Sequence, residues 1–502
     1  MRHLKNVRML VFLPPLILLI MLVILNIISR STLLSILSTI SGLILTNFSW
    51  LISMTAVSCI LLLLLAYCTK FGSVKIGGKD AVPIISKKNW MYITLTTTIG
   101  AGLLFFASSE PIVHLYAPPE NVTGGAGSSE AMLWAISTLY LEWTWVPYAI
   151  YTVAALMFAY VFYNMKQPRA FSSTLVPVMG EKKTARLAPA VDALCLFTLV
   201  CGVSSAMGVG TMNIAGGLQS IFGIPSNNVS WLFIIIVIVA MFTITAVSGI
   251  RKGIQQLADL NMKVYWVIMA FILITGPTAW LLNFLSESTG FFARNFPFMC
   301  LMNGVTSGEA WAQSWPIFYI LSWLSWTPVT AIFLGKISRG YTVRELIITN
   351  WVFPSIFATM WIALFGGMAL YVEQTAGGLH EVLTSLGMEA VVYRIFDYLP
   401  FAKVLIPVYI LAVLLSFVTA TNSNTTAMAD LSMKKMSEEE LEPPSYMKII
   451  WAVMVGVVAY ILVTLAGIDG IKMAANIGGF PNLFFEIIIC FGLFRIIRHQ
   501  NN

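Results

Sequence analysis

Residues Ser314–Glu345 read SWPIFYILSWLSWTPVTAIFLGKISRGYTVRE. From Trp315 to Leu334 the run is uncharged, apolar and aromatic, and about twenty such residues cross a bilayer as an α-helix. Lys336, Arg339 and Arg344 follow at once, which predicts that this end faces the cytoplasm. Trp323 and Trp326 are three apart and so share a helix face. Pro328 removes a backbone donor inside the membrane, and the carbonyl it frees must find another partner. Aromatic rings beside an interrupted membrane helix suggest a pocket for an organic cation, held by cation–π attraction. The other reading of the same rings is lipid contact or helix packing.

The whole composition agrees with a membrane protein. Hydrophobic residues are 58% of the chain, charged residues 10%, and the mean hydropathy is +0.85, whereas a soluble domain carries about 25% charged residues. Working outward from the quoted stretch, hydrophobic runs predict twelve spans, near 9–28, 48–69, 90–116, 131–163, 189–216, 229–249, 259–285, 314–335, 346–373, 399–431, 449–467 and 473–497. The first is too long, and too poorly followed by a cleavage site, for a secretory signal. With a cytoplasmic N-terminus, only Arg30, Arg294, Arg394, Lys403 and Lys472 of the 29 basic residues fall outside. That asymmetry predicts both termini on the cytoplasmic side. It also accounts for the net charge of +7 without a nucleic-acid partner.

Enzyme chemistry finds no support. The six cysteines show no metal-ligand or disulfide spacing, the four histidines are scattered, and no nucleophile triad, phosphate loop or haem signature is present. No cofactor is implied. A short surface helix is predicted around His380–Tyr398.

Three further stretches carry polar chemistry into the membrane. TTTIGAGLLFFASSEP (Thr96–Pro111) places Gly100 and Gly102 mid-span. They serve either close helix packing or local unwinding that exposes carbonyls. Glu110 near its outer end reads as a gating or capping element, or as a helix end at the interface. AISTLYLEWTWVPYAIYTVAALMFAY (Ala135–Tyr160) sets Trp143, Tyr148 and Tyr151 around Pro147, with Glu142 at membrane depth. An acid there is expensive to bury and marks function, unless it reaches a wide vestibule or pairs structurally. Thr419–Thr425 is a hydroxyl and amide run broken only by Ala420, suited to a small cation or to interhelical hydrogen bonds.

Together these pieces resemble the betaine/choline/carnitine transporter family. The resemblance rests on FYILSWLSWTP with ISRGYTVRE, on SSTLVPVMGEK (Ser172–Lys182), on GIRKGIQQLADLNM (Gly249–Met262) and on the Thr96–Pro111 segment, in order along nearly the whole chain. It implies an all-α polytopic fold of twelve transmembrane helices. Two N-terminal helices (1–89) would precede a first five-helix repeat (90–286), an interfacial connecting helix (287–313) and a second, inverted repeat (314–502), as in LeuT-like proteins. It further implies a homotrimer in a bacterial cytoplasmic membrane, lipid-embedded, with alternating access around a midplane site.

By motif position the resemblance assigns the substrate box to Trp143, Tyr148, Tyr151 and Trp323, with Trp326 lower on the inward path. The box is thinner than the family's, because Ile320 and Ser322 stand where further tryptophans are usual and Tyr148 where a tryptophan is common. Glu142 stands where a histidine is common and adds an acid that could hold a cation or titrate. A family sodium site would fall on Ile99, Thr419 and Asn261. Ala420 removes one of its two hydroxyls, and Asn261 lacks the charge of the arginine that replaces sodium in exchangers. The expectation is therefore a secondary transporter of a quaternary ammonium solute that does not strictly need sodium. The short tails and altered box favour carnitine-like substrates and uptake or exchange. A sodium-coupled glycine betaine or choline symporter is the nearest alternative. A ligand-binding receptor is the alternative of another class, disfavoured because the tails leave no room for an output domain.

Overall fold

The computed structural model describes residues 6–99, 101–247, 251–434 and 443–501, with side chains left aside at 101, 242, 245–258, 417–423 and 501. Thr419, Ala420 and Thr421 therefore lie outside the described side chains, and Gly100 outside the described residues. Among the described residues the protein is helical, with two isolated bridges (Val7 with Met433, Lys75 with Thr342) and no strand.

The N-terminal pair is α1 (Met9–Ile28) and α2 (Arg30–Cys68). Then come α3 (Lys87–Thr98) and α4 (Ala101–Tyr116), whose axes differ by 57°. Ile99 closes α3 in an extended conformation, so the span expected over 90–116 is broken beside its glycines. α5 (Ser129–Tyr140) continues through a π-turn, Leu141–Trp145, into α6 (Val146–Ala159). The short α7 (Val176–Met179) leads to the long α8 (Glu181–Phe222), α9 (Asn228–Val247) and α10 (Arg251–Thr275). The span expected over 259–285 is divided: α10 stops before Gly276–Pro277, and α11 (Thr278–Leu301) leaves at 110°.

A further π-turn, Gln313–Ile317, opens α12 (Phe318–Ile337). α13 (Val343–Ile347) begins at a capping box of Thr342 and Glu345 and passes through another π-turn into α14 (Phe353–Thr375). The surface helix expected around His380–Tyr398 is two helices, α15 (Leu379–Leu386) and α16 (Met388–Phe396). Gly387 divides them at φ 93°, a conformation that L side chains avoid. α17 (Ala402–Ser432) precedes α18 (Ser445–Asn501), in which Ala466 and Gly467 are non-helical and separate two apolar halves. Among the described residues seven helices are long and apolar enough to span a membrane, nine when each bent pair is one span, and Asn228–Met241 and Ala402–Ser416 are shorter apolar helices.

α12 runs unbroken through Pro328. The carbonyl four residues earlier, Leu324, has lost its ladder donor, and Asn482 Nδ2 of α18 takes its place at 2.8 Å. The same amide donates to Thr198 Oγ1 of α8 at 3.0 Å. The carbonyl freed by Pro328 is thus the point where three helices are tied. A Cβ on Gly479 would lie 1.9 Å from the Leu321 carbonyl, so α18 can approach α12 this closely only as glycine.

Candidate functional site

The π-turn at Leu141–Trp145 positions the first half of the site. Pro147 lacks an N–H, and the widened turn leaves carbonyls open to other donors. Two indoles use them. Trp323 Nε1 of α12 donates to the Glu142 carbonyl at 2.7 Å, and Trp351 Nε1 donates to the Trp145 carbonyl at 2.9 Å. The break in one helix is therefore satisfied by tryptophans of others, as a low-dielectric interior requires.

Trp323 is thereby fixed against the rings expected from sequence. Its ring lies perpendicular to Trp143, centroids 5.2 Å apart, and to Tyr151, 5.7 Å apart. Trp143 and Tyr151 are nearly fully buried, and Trp323 is half-buried. Tyr148 is buried beside them, its hydroxyl against Thr98 at the end of α3. Trp326 stands apart: a Cβ on Gly202 of α8 would lie 3.0 Å from its Nε1. The structure thus gathers Trp143, Tyr151 and Trp323 into one cluster, with Tyr148 at its edge and Trp326 one turn further along α12.

Two acids close the other side. Trp143 Nε1 donates to Glu110 Oε2 at 3.2 Å, and Tyr319 Oη donates to the same oxygen at 3.0 Å. The Trp143 and Tyr319 rings are 5.1 Å apart, and Phe106 packs on both. Glu110 Oε1 faces His114 Nε2 at 3.5 Å. Side-chain atoms of Glu110, His114 and Glu142 all lie within 4.8 Å of one another. Glu142 itself is 2% exposed. Neither of its carboxyl oxygens receives a donor from a described residue. His114 is walled by Trp315, and Lys472 of α18 lies 3.5 Å over the Trp315 ring while donating to the Ser314 carbonyl at 3.1 Å.

Gly102 sets the spacing of this assembly. A Cβ there would lie 2.6 Å from Trp143 Cη2, so its role is close approach of α4 to the indole. Glu110, His114, Tyr319 and Lys472 were not assigned to the site from sequence. A signal was present for two pairs: Glu110 with His114, and Tyr319 with Trp323, are each four apart on one helix face.

The residues proposed for sodium are less gathered. Asn261 Nδ2 of α10 donates to Ser416 Oγ of α17 at 3.1 Å, and Tyr265 shares that hydroxyl. Asn261 Oδ1 is buried and has no donor among the described residues. Ile99 ends α3, and the Thr419 side chain lies outside the described set.

Comparison with known proteins gives this arrangement a family. The sequence model described as BCCT, betaine/carnitine/choline family transporter, matches residues 10–502. A probable glycine betaine transporter of Desulfitobacterium hafniense is 27% identical over 473 residues, covering 93% of each chain. The glycine betaine transporter OpuD of Bacillus subtilis is 29% identical over 470 residues, 92% of this chain and 89% of the relative. The osmo-dependent choline transporter BetT2 of Acinetobacter baylyi is 28% identical over 462 residues, 91% of this chain and 66% of the relative. Among solved structures, a sodium-coupled sialic acid symporter aligns with TM-score 0.47 at 12% identity over 88% of this chain and 86% of that one. The chain belongs to the betaine/carnitine/choline transporter family: an all-helical, multi-pass membrane transporter and not an enzyme.

Proposed function

We propose that this protein is a secondary transporter of a quaternary ammonium solute, of the betaine, choline or carnitine type, working by alternating access in a bacterial cytoplasmic membrane. The observation that carries the reading is the perpendicular packing of Trp143 and Tyr151 on Trp323. A quaternary nitrogen has no N–H to donate, so hydrogen-bond acceptors discriminate it poorly. Ring faces and carboxylates attract it through charge alone, each desolvated cation–π contact contributing about 2 kcal/mol. The cluster supplies three rings, with Tyr148 beside them and Glu142 adjoining.

The rings come from α6 with its π-turn and from α12, which we assign to opposite five-helix repeats at 90–286 and 314–502, among twelve crossings. Rocking one repeat against the other would open the cluster to either side in turn. A homotrimer with both termini cytoplasmic completes this proposed arrangement. Within the substrate class, the names of the relatives bring glycine betaine and choline forward, while the thinned box keeps carnitine and γ-butyrobetaine in the test.

Sodium coupling is a second reading, favoured by one observation: the buried Oδ1 of Asn261, which accepts from no donor among the described residues. Uptake of the four labelled solutes into proteoliposomes, with and without sodium and with internal counter-substrate, tests both. Saturable uptake or exchange of at least one solute, retained when potassium replaces sodium, is the expected result. Failure of all four overturns the substrate class. Loss on sodium removal, restored in a saturable way, overturns sodium independence and favours a site at Ile99, Asn261 and Thr419.

A further inference from the structure

Glu142 is the one site acid whose state the hydrogen bonds leave unsettled. Glu110 is provided for as an anion: one of its oxygens accepts from both Trp143 and Tyr319. Glu142 accepts from no described donor and is nearly inaccessible. A bare carboxylate so placed is strongly disfavoured, because nothing replaces the water it has lost. The groups facing it are Glu110 and His114 from α4, Tyr319 from α12 and Lys472 from α18, with Asp469 beside Lys472. Lys472 is committed to the Ser314 carbonyl and the Trp315 ring. What remains within reach is Glu110, whose Oε1 accepts from no described donor, and His114, whose ring nitrogens likewise have no hydrogen-bond partner among the described residues. Two carboxyls can hydrogen-bond only when one carries a proton.

Both acids are also tied to the rings that would hold substrate. The Glu110 carboxylate takes Trp143 Nε1, and the Glu142 backbone carbonyl takes Trp323 Nε1. A cation held against Trp143 lies one hydrogen bond from Glu110, and a carboxyl oxygen of Glu142 lies within 4.8 Å of one of Glu110. Resting on the substrate reading above, we propose that Glu142 holds one positive charge at a time: a proton shared with Glu110 when the site is empty, and the quaternary ammonium group when it is filled. On binding, the O–H bond of Glu142 breaks, its electron pair stays on the carboxylate, and the proton leaves through Glu110 and His114 to solvent. The carboxylate then faces the substrate cation, and charge is balanced on both sides of the step.

The coupling is reciprocal, so acid opposes binding of the cation. Isothermal titration of the purified full-length protein with choline, in buffers of different ionisation enthalpy, counts the protons exchanged. The parent releases about one proton per choline where Glu142 is protonated, and there Kd rises by about tenfold per pH unit of acidification. Glu142→Gln binds more weakly, releases no proton and has a flat pH profile. Glu142→Asp, which keeps a carboxyl, restores the release. Choline binding to the parent without proton release at any pH overturns the proposal and leaves the substrate class standing. Release that persists in Glu142→Gln also overturns it, because another group then carries the proton. Failure of the parent to bind choline, betaine, carnitine or γ-butyrobetaine overturns the substrate reading and this proposal with it.

Discussion

Among the acids buried in the described residues, the pair Glu110 and Glu142 adjoins the aromatic cluster, and Glu486 is buried as deeply elsewhere. Glu110 and Glu142 lie where α4, the π-turn before α6 and α12 converge: the Glu110 carboxylate accepts from Trp143, and the Glu142 backbone carbonyl accepts from Trp323. Glu486 of α18 is equally inaccessible, yet it faces thiols: Cys59 Sγ of α2 at 3.6 Å, with Cys490 Sγ 3.7 Å from Cys59. Its other oxygen also lacks a donor. Beside it a cleft of about 340 Å³ is lined by Thr55, Leu61, Leu65, Ile487 and Phe491. Burial and an unpaired oxygen are common to both sites. The difference is mechanical. Glu110 and Glu142 are connected to the rings proposed to hold the cation, whereas none of the described bonds of Glu486 reaches those rings. On the proposed function, an intramembrane acid takes part in transport through its connection to those rings, and depth alone does not separate the two sites.

The sharpest way to break this contrast is to remove the shared ring. Trp323 packs on Trp143 and Tyr151 and also occupies the Glu142 carbonyl. Trp323→Leu loses a cation–π face and frees a buried acceptor, so affinity for the transported cation should fall at least tenfold. Binding measured by calorimetry on a folded, monodisperse sample checks it, and unchanged affinity removes Trp323 from the box. Next in size is Gly102→Ala. The new methyl must displace the Trp143 indole, which weakens its bond to Glu110 and should lower affinity severalfold while tryptophan emission shifts. An unshifted spectrum with parental affinity shows that α4 can retreat without disturbing the ring.

Asn482→Leu attacks the scaffold, leaving the site's own side chains in place. It leaves the Leu324 carbonyl without a donor in the membrane, and should cost about 1–3 kcal/mol of stability with little change in ligand affinity. Thermal unfolding in detergent, with and without ligand, separates the two effects. A stable variant would mean that another donor replaces the amide.

This scaffold was partly legible from sequence for a local reason. Pro328 fixes which carbonyl is freed, so the need for a partner could be read, although Asn482, 154 positions later, could not be named. Trp143, Tyr151 and Trp323 were named together by motif position, from the family resemblance, and the structure places their rings in contact. Glu142 was legible because an acid in an apolar run stands out. Lys472 and Tyr319 were not, because they join the acids only through the relative placement of α4, α12 and α18. Gly276–Pro277 carried a stop signal inside the seventh hydrophobic run, but hydropathy averages over such a pair and read through it. The polar run at Thr419–Thr425 falls largely outside the described side chains, so its choice between ion and packing roles passes to the sodium-replacement measurement.

The smallest expected effect is at Glu486. Glu486→Gln is close to isosteric and keeps an oxygen for the Cys59 thiol, so the contact between α2 and α18 survives. The residue shares no hydrogen-bond partner with Glu110, Glu142 or the rings, and independent sites combine without coupling. Choline affinity should stay within about twofold of the parent, and the proton count per bound cation should be unchanged. The pair of variants then makes a controlled comparison: the same carboxyl-to-amide change, at the same degree of burial, in two surroundings. Loss of proton release in Glu142→Gln with retention in Glu486→Gln assigns the titration to the acid beside the rings. If Glu486→Gln abolishes release instead, a group with no bond to the cluster is carrying the proton. The connection through Trp143 and Trp323 would then not be what couples charge to substrate.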